Sequence, residues 1–599
     1  MQPKTIHTVT VPYAGGEERR GPVTMGQANM IRCILRDDPA QINIHDVWSA
    51  PPGARLDAAI DALRVLVVRH EALRTTFPQG SGAAPCEQVV APEGEFAVTV
   101  LDHDALPPET GPYAEAVAHR ARGERFALEK EFGLRISLVT LHGAPVLAVV
   151  VASHAVADGS ALAVLRDEWL TLLAGEDLPP LAALTPLDLA AEEATPAGLR
   201  KSRASLGYWE QIIRTGPQAM FAEPGATGVD VRLPQLTLRS RRGARALALV
   251  AERTGGLPST VLLTAWCALV AHRAGQSTCV AAVPTSNRFL PRLARSVNTV
   301  SQDALLSLDV RVPSFDALLR KAWGAALNAY RHSQFDAVGL WEMIGRTTFE
   351  RGSHFARDVV FNDVSTLPVN LALAAAEDDA GPDLELSWGP AQVLPTRSLV
   401  FVHQTAPMLH LSTWADPALF PRGEAEGFLE GLVRLLEAAG AEDVPFASLT
   451  DVTGIHPARR GADWVQVDGS WISPPAVAQA LSRALDGLPV HVTLDAPTEG
   501  APTAGALGTD TPAADTSRAD PLPEADAGQG LTAFIASGGS PLTPAKAHAA
   551  LMDVLPGRPD VLAPRRYVIV QDPPTGADRT NAWLRQQILM EGNGRERSM

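Results

Sequence analysis

Val146–Leu173 reads VLAVVVASHAVADGSALAVLRDEWLTLL, and the rest of the chain is best read outward from it. Val146 to Ala152 is an apolar, β-branched run of the kind a buried strand shows. Leu162, Leu165, Trp169 and Leu172 then fall on one helical face. Between them lies Ser153-His154-Ala155-Val156-Ala157-Asp158-Gly159. A strand that ends on His, with Asp four residues on and Gly next, aims an imidazole out of a sheet edge. Gly159 permits a turn that a Cβ would hinder. Taken alone, the pattern reads first as a core histidine followed by an N-capping Asp. Its neighbours alter that reading.

At 599 residues the chain exceeds what one core supports, so about two to four domains are expected. A net charge of −16 makes it a poor general ligand for nucleic acid or anionic membrane. Cys33, Cys86, Cys267 and Cys279 form no C-x-x-C pair and no zinc-spaced cluster with His, so reduced thiols are expected. The opening MQPKTIHTVTVPYAGGEERR has no apolar signal core, and no apolar run reaches membrane-spanning length. A cytoplasmic protein is expected, with residues 1–20 a short leader of low structural content.

Thr24-Met25-Gly26-Gln27 opens a helix with Thr24 as a plausible cap. Leu56, Ile60, Leu63 and Val67 form a helical stripe that runs into Arg69-His70-Glu71-Ala72-Leu73-Arg74-Thr75-Thr76-Phe77. The C-terminal half carries Pro284-Thr285-Ser286-Asn287-Arg288, Ser296-Val297-Asn298-Thr299-Val300, Ser333-Gln334-Phe335-Asp336 and Val359-Val360-Phe361-Asn362.

Together these stretches resemble the condensation domains of nonribosomal peptide synthetases. The family's active-site motif is His-His-x-x-x-Asp-Gly, and His154, Asp158 and Gly159 meet it with Ser153 in place of the first His. Residues 69–77 meet every fixed position of Arg-His-Glu-x-Leu-Arg-Thr-x-Phe. They are read as structural, a helix end turning into a strand with its charges paired. The resemblance implies the chloramphenicol acetyltransferase-like α/β fold of two lobes, here residues 21–185 and 186–449. It also implies a pairing of Arg135 with Asp158, since a buried carboxylate needs a partner, and a place for Asn298 near the active site.

Residues 450–599 read as a further small α+β unit. Val465-Gln466-Val467-Asp468-Gly469, Leu555-Pro556, Tyr567–Val570 and Pro573–Arg579 resemble the C-terminal subdomain of adenylation enzymes. The lysine that would contact an acyl-adenylate is missing, because no lysine follows Lys546. A degenerate, non-adenylating remnant is expected. Its insert, about residues 496–530, is rich in Ala, Pro, Thr, Gly and Asp and reads as a disordered loop.

The implied activity joins an acyl or aminoacyl thioester on the phosphopantetheine arm of a carrier protein to an amine or hydroxyl. His154 would be general base or positioning group, and amides around Gly159 would be oxyanion donors. Two carriers on separate polypeptides, or one carrier and a free small amine or alcohol, are the expected partners. No metal or bound cofactor is implied. The alternatives are a non-catalytic docking member of the fold, and a related acyltransferase or epimerase using the same His.

Overall fold

The computed structural model describes residues 3–80, 82, 84–105, 110–226, 231–367, 382–495, 530–575 and 580–596. The expected disordered insert lies outside these, apart from Gly530.

The N-terminal lobe is built on a five-stranded sheet in the order Thr5–Ala14, Glu93–His103, Leu134–Leu141, Ala144–Ala152, Ile44–Ser49. Alternation along Leu134–Leu141 sends Ile136 and Leu138 to one face and Val139 to the other. The first face packs under the helices Leu56–Arg69 and Gly159–Leu173, where Trp48 and Trp169 meet with ring centroids 5.6 Å apart. The second is covered in part by Thr110–Arg122.

The expected leader is instead a sheet strand. Thr5–Ala14 pairs residue by residue with Glu93–His103, and Arg19–Pro22 pairs with Glu87–Val90. The alternating β-branched TIHTVTV suits an edge strand whose Val11 and Tyr13 reach the core.

Residues 69–77 behave as the sequence suggests. The helix ends at Arg69, a 3₁₀ turn covers Glu71–Arg74, and Thr75–Thr76 is strand. Arg69 and His70 both reach the buried Glu168, at 3.0 and 2.7 Å, and Glu71 pairs with Arg19 at 2.9 Å.

The helices Pro186–Glu193 and Pro196–Thr215 lead to the C-terminal lobe, whose mixed seven-stranded sheet runs Gln302–Asp309, Thr278–Thr285, Val359–Asp363, Ser398–Gln404, Leu409–Ala415, Arg232–Ser240, Glu385–Val393. Its core is centred on Pro258–Ala274, an apolar helix buried on nearly all sides. Among the described residues no single helix is long and apolar enough to cross a membrane.

The last unit has its own core around Val477, Leu481, Leu551 and Tyr567, under a four-stranded sheet. It packs on the C-terminal lobe. The Gln218 side chain donates to the Val561 carbonyl at 2.7 Å, Trp471 Nε1 donates to the Gly275 carbonyl at 2.7 Å, and Arg351 pairs with Asp468 at 2.8 Å.

Candidate active site

The strand Ala144–Ala152 runs out where the Ser153 amide donates to the Gly133 carbonyl. A tight turn follows, with Val156 N–H on the Ser153 carbonyl at 3.0 Å. Asp158 then caps the next helix, its Oδ1 accepting from Ala161 N–H at 3.0 Å. His154 sits between strand and helix. Its Nδ1 is buried with no hydrogen-bond partner among the described residues, which leaves Nε2 as the nitrogen available to a substrate. Burial pushes the imidazole pKa below its ordinary value, and the charge of Asp158 opposes that shift only in part. The neutral, proton-accepting form is therefore the resting one at neutral pH.

Asp158 is held from the other lobe. Its Oδ2 accepts from Arg288 Nη1 at 2.7 Å, from Val300 N–H at 3.1 Å, and from the N–H and Oγ of Ser301 at 3.2 and 3.0 Å. Burial alone would raise its pKa, but Arg288 and the backbone amides of Val300 and Ala161 hold it below the usual carboxylate value. Arg288 Nη2 also donates to the carbonyls of Ser296 and Asn298, each at 3.1 Å. Thr299 Oγ1 donates to the His154 carbonyl. The segment 296–301 thus grips both motif residues. Behind it, Gly26 lies so close to the Thr299 carbonyl that no Cβ could fit.

His154, Asp158 and Gly159 from one lobe, with Ser286, Tyr330 and Asp363 from the other, line a cavity of about 660 Å³. A larger cavity of about 1130 Å³ lies on the outer face of the N-terminal sheet, against Phe96, Tyr113 and Arg135. A condensation-domain family profile matches residues 35–364, more than half of the chain.

The chain belongs to the condensation-domain family.

It is 26% identical over 313 residues to the nonribosomal peptide synthetase kk1B of Curvularia clavata, covering 48% of this chain and 2% of that protein. The chain spans only a small part of the length of such curated relatives. The first condensation domain of the calcium-dependent antibiotic synthetase, solved with a substrate analogue, aligns at TM-score 0.53 and 18% identity over 73% of this chain and 97% of that one. The X-domain from teicoplanin biosynthesis aligns at 0.55 and 18%, over 73% and 98%. The fold is the chloramphenicol acetyltransferase-like one of condensation domains.

Within this condensation fold two expectations need correcting. Arg135 does not reach Asp158. Its strand neighbour Ile136 faces the helix Gly159–Leu173, so Arg135 faces away. There it donates to the carbonyls of Glu124, Ala121 and Arg125 and lies 3.8 Å over the Phe126 ring. Arg288 takes its place, and the Asn-Arg pair of residues 287–288 was its signal in the sequence. Second, Gly159 has no left-handed backbone; it is the exposed first residue of its helix, where a Cβ would lie 3.4 Å from Leu367 Cδ1. A Cβ there would meet only ordinary contact. Asn298 supports Arg288 through its carbonyl, and its buried side-chain amide has no partner among the described residues. Ser153 is buried and accepts from Ala155 N–H at 3.3 Å, facing the protein rather than the cavity. The amides of Gly159 and Ser160, at the helix N-terminus, have no acceptor among the described residues.

Proposed function

We propose that this chain is a condensation enzyme that transfers an acyl or aminoacyl group from a phosphopantetheine thioester to an amine or hydroxyl. The observation that carries the reading is His154 on a cavity that both lobes line, beside an Asp158 that Arg288 pairs with at 2.7 Å. In this reading the nucleophile attacks the thioester carbonyl, a C–N or C–O bond forms and the C–S bond breaks. His154 takes the nucleophile's proton and passes it to the departing thiolate. The Gly159 and Ser160 amides face the developing oxyanion. Bringing the two reactants together in one cavity supplies much of the acceleration. The partners in this reading are carrier proteins, whose own arm tethers the thioester.

The last unit has a packing role and does not adenylate. It lacks a lysine after Lys546, and it bonds to Gln218 and Arg351 of the C-terminal lobe.

A second reading, a docking member of the family without chemistry, is favoured by Ser153 standing where the motif has its first His. Mass spectrometry of incubations with acyl-pantetheine thioesters and a panel of amines and alcohols separates the two. The enzyme reading expects amide or ester products above the uncatalysed background. The docking reading expects none.

A further inference from the structure

The walls of the His154 cavity carry five full charges. Asp158 is matched by Arg288 at 2.7 Å, and Asp167 by Arg295 at 3.8 Å. The fifth is Asp363, the last residue of the central strand Val359–Asp363. It has no cationic partner among the described residues. Its Oδ1 accepts from the N–H and Oγ of Ser365 at 3.0 and 2.6 Å, and its Oδ2 takes no hydrogen bond among the described residues. Four residues beyond Asp363, Leu367 Cδ1 lies 3.4 Å from where a Gly159 Cβ would stand, so residues 363–367 line the cavity up to the motif. Tyr330 shares that wall, its hydroxyl pushed up to about 12 by burial and by the charge of Asp363.

A half-buried carboxylate with one oxygen free of hydrogen bonds among the described residues is a poor arrangement for an anionic or apolar ligand and a good one for a cation. We propose that Asp363 binds a second, protonated amino group on the acceptor, so that the preferred nucleophile is a cationic amine. The assignment rests on the condensation reading above and names the acceptor class for it. The distal ammonium stays protonated on Asp363, while the proximal amine, neutral at the moment of attack, forms the new C–N bond as the C–S bond breaks. Its proton goes to His154. Such an acceptor is either a free diamine or a basic aminoacyl group on a second carrier; both present the same ammonium.

Titration calorimetry on the full chain distinguishes these, with 1,4-diaminobutane, its uncharged isostere 1,4-butanediol and ornithyl-pantetheine amide as probes. Asp363→Asn keeps the acceptor for Ser365, and Asp363→Ser is the second variant should the first unfold. The expected result is that the diamine or the ornithyl probe binds wild type at least about tenfold more tightly than butanediol, the size of one charge-assisted bond. Asp363→Asn should abolish that margin and His154→Ala should keep it. Whichever probe shows the dependence on Asp363 identifies the source of the amine. Equal binding of all three probes by wild type, or a margin that survives in both Asp363 variants, overturns the assignment. Binding that depends on Asp363 without any acyl transfer would instead overturn the condensation reading and leave the cation site standing.

Discussion

Arg288 and Asp158 meet at 2.7 Å across the lobe boundary, with side chains only 6% and 2% exposed. The pair ties the end of a C-lobe strand to the cap of the N-lobe helix that starts beside His154. Removing either partner strands the other charge in the interior, at a cost of about 3–5 kcal/mol. Arg288→Ala and Asp158→Ala should each lower the melting temperature and the yield of folded protein. A double-mutant cycle should give strong coupling between Asp158 and Arg288 and near-zero coupling between Asp158 and Arg135. Coupling to Arg135 instead would contradict the geometry.

A small substitution tests the same boundary from behind. Gly26 abuts the Thr299 carbonyl, and Thr299 in turn bonds the His154 carbonyl. Gly26→Ala should force the segment 296–301 outward and cost about 1–3 kcal/mol, the usual range for overpacking. Turnover should fall along with thermal stability. An unchanged melting temperature would show that the lobes give way freely there.

The pH dependence follows from two lowered pKa values. His154 has a folded pKa below its unfolded value of about 6.5. Its contribution to stability is therefore present above that pH and is lost as pH falls, when the unfolded chain takes the proton more readily. The same shift keeps the imidazole neutral to lower pH, so the acid limb of turnover should have its midpoint below about 6.5. A midpoint above that value would contradict burial as the ruling effect. Asp158, also lowered, contributes stability that is present above about pH 3.8 and is lost as pH falls through its folded pKa. Asp158→Asn should flatten that acid dependence in a melting series.

The last unit covers part of the C-terminal lobe, with Gln218, Gly275 and Arg351 bonded to it. Ending the chain near residue 450 should uncover that surface and lower solubility or activity. The whole chain should give no amino-acid-dependent pyrophosphate exchange. A fully active, soluble truncation would show the contacts to be dispensable, and clear exchange would restore the unit as an adenylating one.

Much of this architecture was legible because it is local. Thr24 caps its helix and makes a reciprocal capping box with Gln27, as the motif there suggests. The strand Ala144–Ala152, the turn and the helix Gly159–Leu173 follow from the apolar periodicity around His154. What the sequence hid is long-range. Thr5–Ala14 is a strand because Glu93–His103 pairs with it, and nothing within residues 1–20 announces that partner. Arg288 lies 130 positions from Asp158; the Asn-Arg motif marked it, but only the meeting of the lobes shows what it holds. Arg135, four residues from Glu131 and close to three carbonyls, was a nearer candidate in sequence and turned to the wrong face of the sheet.

The most direct test of the account is the turnover of His154→Ala in acyl transfer from a pantetheine thioester to an amine, followed by product mass. The variant should fold and bind the acceptor as wild type does, with turnover lowered by about two to four orders of magnitude, the usual loss of a general base. Near-wild-type turnover in a folded His154→Ala protein would remove His154 from the chemistry and contradict the central claim.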